Sequence, residues 1–317
     1  MLKPFFKRLS PAGAQARLSV LIFHRVLAAP DTLFPDEMDA RRFDELCGWL
    51  KRWLNVLPLD EAVQRLQAGT LPARAACLTF DDGYADNHDV ALPILQRHGL
   101  PATFFIATGF LDGGRMWNDT VIESVRRTRL PMLSLEVLLG AEFSRVPVRS
   151  LEEKRAAIES LISQLKYQPV SLRLGLAEQL AMQAEVQLPT DLMMTSDQVR
   201  ALRRAGMQIG AHTVSHPILA TLNQANAYAE ITMSKQVLET LLGERVSLFA
   251  YPNGKPGVDY NAETVALARA LGFDAAVSTQ WGVSKADSDV FQLPRFTPWD
   301  RTPLRFAMRL ANNLWRA

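Results

Sequence analysis

Apolar residues recur along the chain in two rhythms. In one, short runs are apolar or β-branched at nearly every position, as in Val20-Leu21-Ile22-Phe23 and Ala75–Phe80. Such runs are the mark of strands buried on both faces. In the other, apolar residues return every three or four positions, as Phe43, Leu46, Leu50 and Leu54 do, which is the spacing of a helix with one buried stripe. The rhythms alternate, and that predicts βα units around a mainly parallel sheet. Strands are predicted at Ser19–Phe23, Ala75–Phe80, 102–107, Gln208–Ala211, 248–251 and 275–278. Helices are predicted at 43–54, 87–98, 196–205, Gln224–Leu242 and 261–271, with a turn and short helix at 57–66. Asp60 suits a cap for that short helix, and Gly99 suits the residue that ends 87–98.

Between residues 117 and 193 the strand rhythm stops. Segments such as Leu151–Leu165 and 170–185 are rich in Arg, Glu, Gln and Leu, and predict a helical insertion. The tail at 302–315 reads as an amphipathic helix carrying Arg305 and Arg309. The width of its apolar stripe predicts docking on the barrel, with peripheral contact at a membrane surface as the alternative.

Length and composition narrow this picture. A single α/β barrel commonly occupies about 250 residues, so 317 residues fit one domain spanning 1–317, with 117–193 inserted in it, better than two equal domains. A net charge of +2 is too small to imply a nucleic-acid partner. Cys47 and Cys77 stand in unrelated contexts and predict two buried thiols rather than a disulfide or a metal knuckle. The first 17 residues lack the uninterrupted apolar core of a signal peptide, and no segment has the length of a spanning helix. The expectation is a cytoplasmic protein, placed at the inner membrane face if its substrate is lipid-linked. Oligomeric state is not legible.

Three strand ends carry candidate chemistry, where parallel α/β folds gather function. Asp81 and Asp82 follow Ala75–Phe80 directly. Adjacent acids repel unless a cation or a proton separates their roles; the plainer alternative is a helix cap and a turn. His212 and His216, four residues apart after Gln208–Ala211, are expected to face one point from a single helical turn. Two neutral imidazoles and a carboxylate make a facial triad with open positions for water and substrate, against the alternative of two satisfied helix histidines. Tyr251-Pro252-Asn253-Gly254 reads as a tight turn able to offer a backbone N–H to an oxyanion, or as a turn and nothing more. His24, just past the first strand, suits a general acid or a strand-end histidine bonded to backbone. His88 and His98 read as structural.

Taken together these stretches resemble carbohydrate esterase family 4, the polysaccharide deacetylases with a NodB homology domain. Thr79-Phe80-Asp81-Asp82-Gly83 matches the family's first motif and His212-Thr213-Val214-Ser215-His216 its second. Pro101-Ala102-Thr103-Phe104-Phe105 is similar to the strand that follows the first motif. The resemblance implies a distorted (β/α) barrel of about seven strands. It also implies that Asp81 is the general base and that Asp82, His212 and His216 bind a divalent metal, Zn²⁺ by default with Co²⁺, Ni²⁺ or Fe²⁺ also suited.

Two departures stand out. The third motif reads Ala250-Tyr251-Pro252-Asn253 where many members have Arg-x-Pro-Tyr, so Arg295 is the candidate to tether the base. No histidine follows His216 to serve as the usual late general acid. Leu21-Ile22-Phe23-His24-Arg25 is similar to the early strand histidine of biofilm poly-N-acetylglucosamine deacetylases, which makes His24 the candidate acid. Asn253 is expected to hold the oxyanion by its N–H, and Tyr251, Pro252 and Trp299 to contact substrate; Trp117 and Trp281 also fall near strand ends. The implied reaction removes N-acetyl groups from an N-acetylated sugar in a polysaccharide or its lipid-linked precursor. A hydrolase of small non-sugar amides and a decayed carbohydrate-binding module are the alternatives.

Overall fold

The computed structural model describes residues 2–315. The chain forms two compact units, one made of Pro30–Pro35 and Gly113–Leu192 and the other of the remaining described residues. The larger unit is built on seven parallel strands: β1 (Ser19–Phe23), β2 (Ala75–Phe80), β3 (Thr103–Ile106), β4 (Gln208–Ala211), β5 (Leu248–Ala250), β6 (Ala275–Trp281) and β7 (Leu293–Phe296). They pair in the order β1-β7-β6-β5-β4-β3-β2, and β2 pairs back onto β1 from Ser19↔Ala76 to Phe23↔Phe80. The sheet therefore closes into a (β/α)₇ barrel. A two-residue strand, Asn55–Val56, pairs with β2 outside the ring.

Six of the seven strands follow the sequence pattern; β7 does not. Pro294 interrupts Leu293–Phe296 and has no N–H for a ladder, which argues against a strand when only the sequence is read. The structure accommodates it where the pairing of β7 with β6 shifts register between Leu293 and Arg295. This strand closes the ring and delivers a fully buried arginine.

Successive strand residues serve two cores. Val20, Cys77, Phe105, Leu248, Ala250, Val277 and Leu293 form one cluster with Leu59, Ala62, Val63 and Leu66 of the helix Leu59–Gln67. Leu21, Phe23, Leu78, Phe80, Phe104 and Phe249 form the other with the remaining helices of this unit. In the second cluster Phe80 stacks between Phe23 at 5.0 Å and Phe104 at 4.7 Å, which ties three neighbouring strands together. Cys47 and Cys77 are buried and unbridged.

Several helix ends differ from expectation. Leu59–Gln67 begins at Pro58, so Asp60 lies within the first turn and is not the cap. The helix read at 87–98 starts as a π-helical turn, Asn87–Ala91, before the α-helix Leu92–His98, and Gly99 ends it at φ 66°. The tail helix Pro303–Trp315 docks through Phe306, Ala307, Leu310 and Leu314, with Phe306 against Trp49 and Trp53. No helix among the described residues is long and apolar enough to cross a membrane.

The smaller unit has its own core, in which Trp117–Arg127, Leu151–Leu165 and Val170–Gln183 pack through Val121, Val125, Leu161, Leu165, Ala177 and Leu180. It is not strandless: Met132–Leu133 pairs antiparallel with Val146–Pro147, a ladder too short to show alternation in sequence.

Gly210 in β4 illustrates how closely the barrel is packed. A Cβ there would lie 2.4 Å from Cδ1 of Phe105 and 3.0 Å from the Leu248 carbonyl oxygen. Gly210→Ala should therefore lower stability by about 1–3 kcal/mol, the usual range for overpacking a dense core. Adding Phe105→Leu should restore part of the loss by removing the ring atoms. Thermal and urea denaturation of the three variants check this, and an unchanged melting temperature for Gly210→Ala would refute it.

Candidate metal centre and active site

The strand ends place the chemistry at one rim. Because β1 and β2 pair in register, His24 and Asp81 leave adjacent strands at the same level, and the Asp81 N–H still donates to the Phe23 carbonyl at 2.9 Å. Past Asp81 the chain bends sharply: Asp82 has φ 77° and Gly83 φ 90°. The left-handed turn lets two consecutive carboxylates serve different partners.

Asp82 faces His212 and His216. Its Oδ1 lies 3.4 Å from Nε2 of each. Nδ1 of His212 is 2.7 Å from the Ala250 carbonyl. A carbonyl only accepts, so Nδ1 carries the proton and the Nε2 lone pair points toward Asp82. One helical turn does not bring the histidines together, contrary to the reading of their spacing. Residues 213–216 form a loop in which Thr213 has φ 66° and His216 φ 52°, and these two bends set the rings 4.9 Å apart.

These groups fit a divalent cation. The three ligand atoms all lie within 4.8 Å of one another. Ligands at about 2.0–2.2 Å from one first-row ion are separated on this scale. Asp82 Oδ1 is buried with no hydrogen-bond partner, so acceptors converge where no donor is supplied. Protonation reflects the same field. Burial pushes the Asp82 carboxyl up, but His212, His216 and His24 outweigh it and hold it well below the usual carboxylate range. Burial takes His216 down to about 4. Burial also opposes charge on His212, yet Asp82 and Asp81 raise its pKa above the ordinary value.

Asp81 has a different counter-charge. Arg295, 1% exposed, donates from Nη1 to Oδ1 at 2.8 Å and from Nη2 to Oδ2 at 2.7 Å. Two further N–H groups reach Thr79 Oγ1 at 3.1 Å and the Ser278 carbonyl at 2.7 Å. Burial pushes Asp81 up, but Arg295, joined by His212 and His24, outweighs it and the carboxyl ends below its ordinary value.

His24 is exposed, and its charge contributes to the lowering of both Asp81 and Asp82. Two residues that the sequence reading left out secure its segment. Asn87 Nδ2 donates to the His24 carbonyl at 2.8 Å, while Asp86 accepts from Arg25 Nε at 2.8 Å and from the Val26 N–H at 3.0 Å. Their signal was Asp-Asn three residues past Gly83, which reads as turn chemistry.

The third motif divides. Ala250 contributes its carbonyl to His212, a role open to any residue and so invisible in sequence. Asn253 (φ 58°) and Gly254 (φ 71°) form a left-handed turn, with the Asn253 carbonyl accepting from Thr279 Oγ1 at 2.7 Å. Tyr251 is a correction: its side chain is fully buried, stacks on Tyr260 at 3.9 Å and donates its hydroxyl to the Phe291 carbonyl at 3.0 Å. That ring belongs to the core and not to a substrate surface, and Pro252 beside it is buried too. Trp299 is exposed, Trp117 is buried in the core of the smaller unit, and Trp281 at the end of β6 is half-exposed beneath the Arg309 guanidinium at 4.8 Å.

Comparison with known proteins agrees with this architecture. The sequence model of a family described as Polysaccharide deacetylase matches residues 68–129 and 152–276, more than half of the chain. YxkH of Bacillus subtilis (strain 168), a polysaccharide deacetylase by name, is 20% identical over 282 residues, covering 88% of this chain and 71% of its own length. Among solved structures, the Streptococcus pyogenes deacetylase PplD in complex with acetate superposes with a TM-score of 0.61 at 20% identity, covering 94% of this chain and 98% of that one. IcaB from Ammonifex degensii gives 0.61 at 19% identity, covering 96% and 98%. At such identities the structural likeness is one of fold, and the family assignment rests on the sequence match: this chain belongs to the polysaccharide deacetylase family.

Proposed function

We propose that this chain is a metal-dependent N-deacetylase acting on an N-acetylated sugar in a polysaccharide or its lipid-linked precursor. The observation that carries the reading is the pairing of an Asp82–His212–His216 acceptor cluster with a neighbouring carboxylate, Asp81, that a buried arginine keeps ionised. A divalent metal held by those three residues, Zn²⁺ by default, supplies Lewis acidity to the acetyl carbonyl and eases ionisation of water.

The chain's own groups then have separate tasks. Asp81 takes a proton from the attacking water, and the Arg295 fork orients its two oxygens while leaving lone pairs for that proton. The Asn253 N–H, presented by its left-handed turn, faces the oxyanion as the carbonyl becomes tetrahedral. His24, protonated and open to solvent, gives its proton to the sugar nitrogen as the C–N bond breaks, which yields acetate and a free amine. Trp281 and Trp299 offer ring faces to the sugar. The bidentate Arg295 clamp favours this reading over a decayed binding module, because it supplies the tether that Ala250 cannot.

Acetate release from N-acetylglucosamine oligomers, measured together with metal content, is the direct test. Asp81→Asn should keep the metal and lose turnover, whereas Asp82→Ala should lose the metal. Loss of metal from Asp81→Asn would reverse or merge these roles.

Arg295 governs the pH profile. Its removal leaves burial opposed only by the more distant His212 and His24, so the carboxyl pKa rises and the ionised base is lost at higher pH. The acid limb of kcat/KM should therefore move to higher pH in Arg295→Met, and by less in Arg295→Lys, which keeps the charge without the fork. An unmoved limb in both variants would show that it does not report Asp81.

His24→Ala should retain the metal and lose turnover by about 10²–10⁴-fold, the usual contribution of a general acid. Wild-type turnover in this variant would reduce His24 to a structural residue.

A further inference from the structure

The loop that joins His212 to His216 is held from two sides by residues of neighbouring segments. Thr213 and His216 both adopt left-handed backbone conformations, which residues with a Cβ occupy only when their surroundings impose them. On one side stands Glu230, in the helix Gln224–Leu242. Its Oε2 accepts from the Val214 N–H at 2.8 Å and from the Ser215 N–H at 2.9 Å, and its Oε1 accepts from Ser215 Oγ at 2.6 Å. On the other side, the segment after β3 donates from the Thr108 N–H to the Thr213 carbonyl at 3.1 Å and from the Gly109 N–H to the Val214 carbonyl at 2.9 Å. Within the loop, the His216 N–H donates to Thr213 Oγ1 at 3.2 Å.

The approach at Gly109 admits no side chain. A Cβ there would lie 2.7 Å from the Val214 carbonyl oxygen and 3.1 Å from Val214 Cγ1. The loop backbone is thus tied at Thr213 O, Val214 N, Val214 O and Ser215 N, four consecutive points between the two histidines.

We propose that Glu230 and Gly109 are positioning residues of the metal centre, setting its affinity by holding the His212–His216 loop in its binding shape before the metal arrives. This rests on the reading of Asp82, His212 and His216 as metal ligands. The physical reason is preorganisation. A charged carboxylate accepting two N–H groups and a hydroxyl outbids water for all three donors. Without it the loop is released to other shapes, and apparent affinity falls in proportion to the fraction that remains competent.

The test uses the full chain stripped of metal and titrated with Zn²⁺ against a chromogenic chelator. Amide hydrogen exchange at Val214 and Ser215 and far-ultraviolet circular dichroism are recorded on the same samples. Glu230→Ala and Gly109→Ala should each weaken Zn²⁺ binding by about 10–100-fold, the usual cost of losing a group that orients metal ligands. Their folds should be retained and the two amides should exchange faster. Glu230→Gln, which keeps an acceptor for the backbone, should stay closer to wild type and serves if the alanine variants fail to fold. Wild-type Zn²⁺ affinity in Glu230→Ala despite faster exchange would overturn the proposal, as would unchanged exchange. His212→Ala separates the two levels: if wild type binds Zn²⁺ no better than His212→Ala, the metal reading itself fails, whereas tight wild-type binding with an indifferent Glu230→Ala sinks only the positioning role.

Discussion

Two carboxylates, consecutive in the chain and both buried, cannot remain ionised side by side unless each has its own counter-charge. The fold meets this demand at Asp81 and Asp82 with two different devices. Asp81 receives a permanent cation, the guanidinium of Arg295, in a two-pronged contact at 2.8 and 2.7 Å. Asp82 receives two imidazoles at 3.4 Å, whose charge is conditional and whose lone pairs suit an exchangeable ion. Breaking a buried pair by removing one partner commonly costs 3–5 kcal/mol, on the order of a sizeable share of a domain's stability. The barrel is therefore organised around keeping these partners in place as much as around its apolar core.

The closure of the sheet makes the arrangement possible. Arg295 reaches Asp81 because β7 pairs with β1 and β1 with β2, so residues 214 positions apart in sequence meet across three neighbouring strands. His212 reaches Asp82 because β3 lies between β2 and β4. Ala250, at the end of β5, then fixes which nitrogen of His212 faces the carboxylate. Every strand from β1 to β5, together with β7, contributes a residue or a backbone group to the rim, which is how a parallel barrel concentrates chemistry from distant segments.

The arginine also shows how one electrostatic role can move between positions. Ala250 leaves the third motif without a cation, and Arg295 supplies one from another strand. A guanidinium reaches the Asp81 carboxylate all the same, because a closed barrel offers several strands from which to present one. The same logic separates Asp82, His212 and His216, the side chains that would hold a metal, from their supports. Donor atoms are restricted by chemistry to a few residue types, while backbone carbonyls and loop clamps can come from many.

Much of this was legible in the amino-acid sequence alone. Six of seven strands stood out as apolar runs, because a strand buried on both faces must be apolar throughout. Asp81, Asp82, His212 and His216 stood out through two motifs in order, since each group taken singly also reads as a cap, a turn or a helix histidine. The seventh strand was hidden by Pro294, whose missing N–H counts against a ladder until the register shift beside it is known. Tyr251 looked like a surface contact, yet the barrel stacks it on Tyr260 in the core. The spacing of His212 and His216 suggested a helix, where left-handed bends at Thr213 and His216 do the work instead. Local sequence determined the strands and the reactive groups, since both follow from side-chain chemistry and short-range periodicity. Only the tertiary structure decided which cation meets which carboxylate, because that depends on register and closure between strands far apart in the chain.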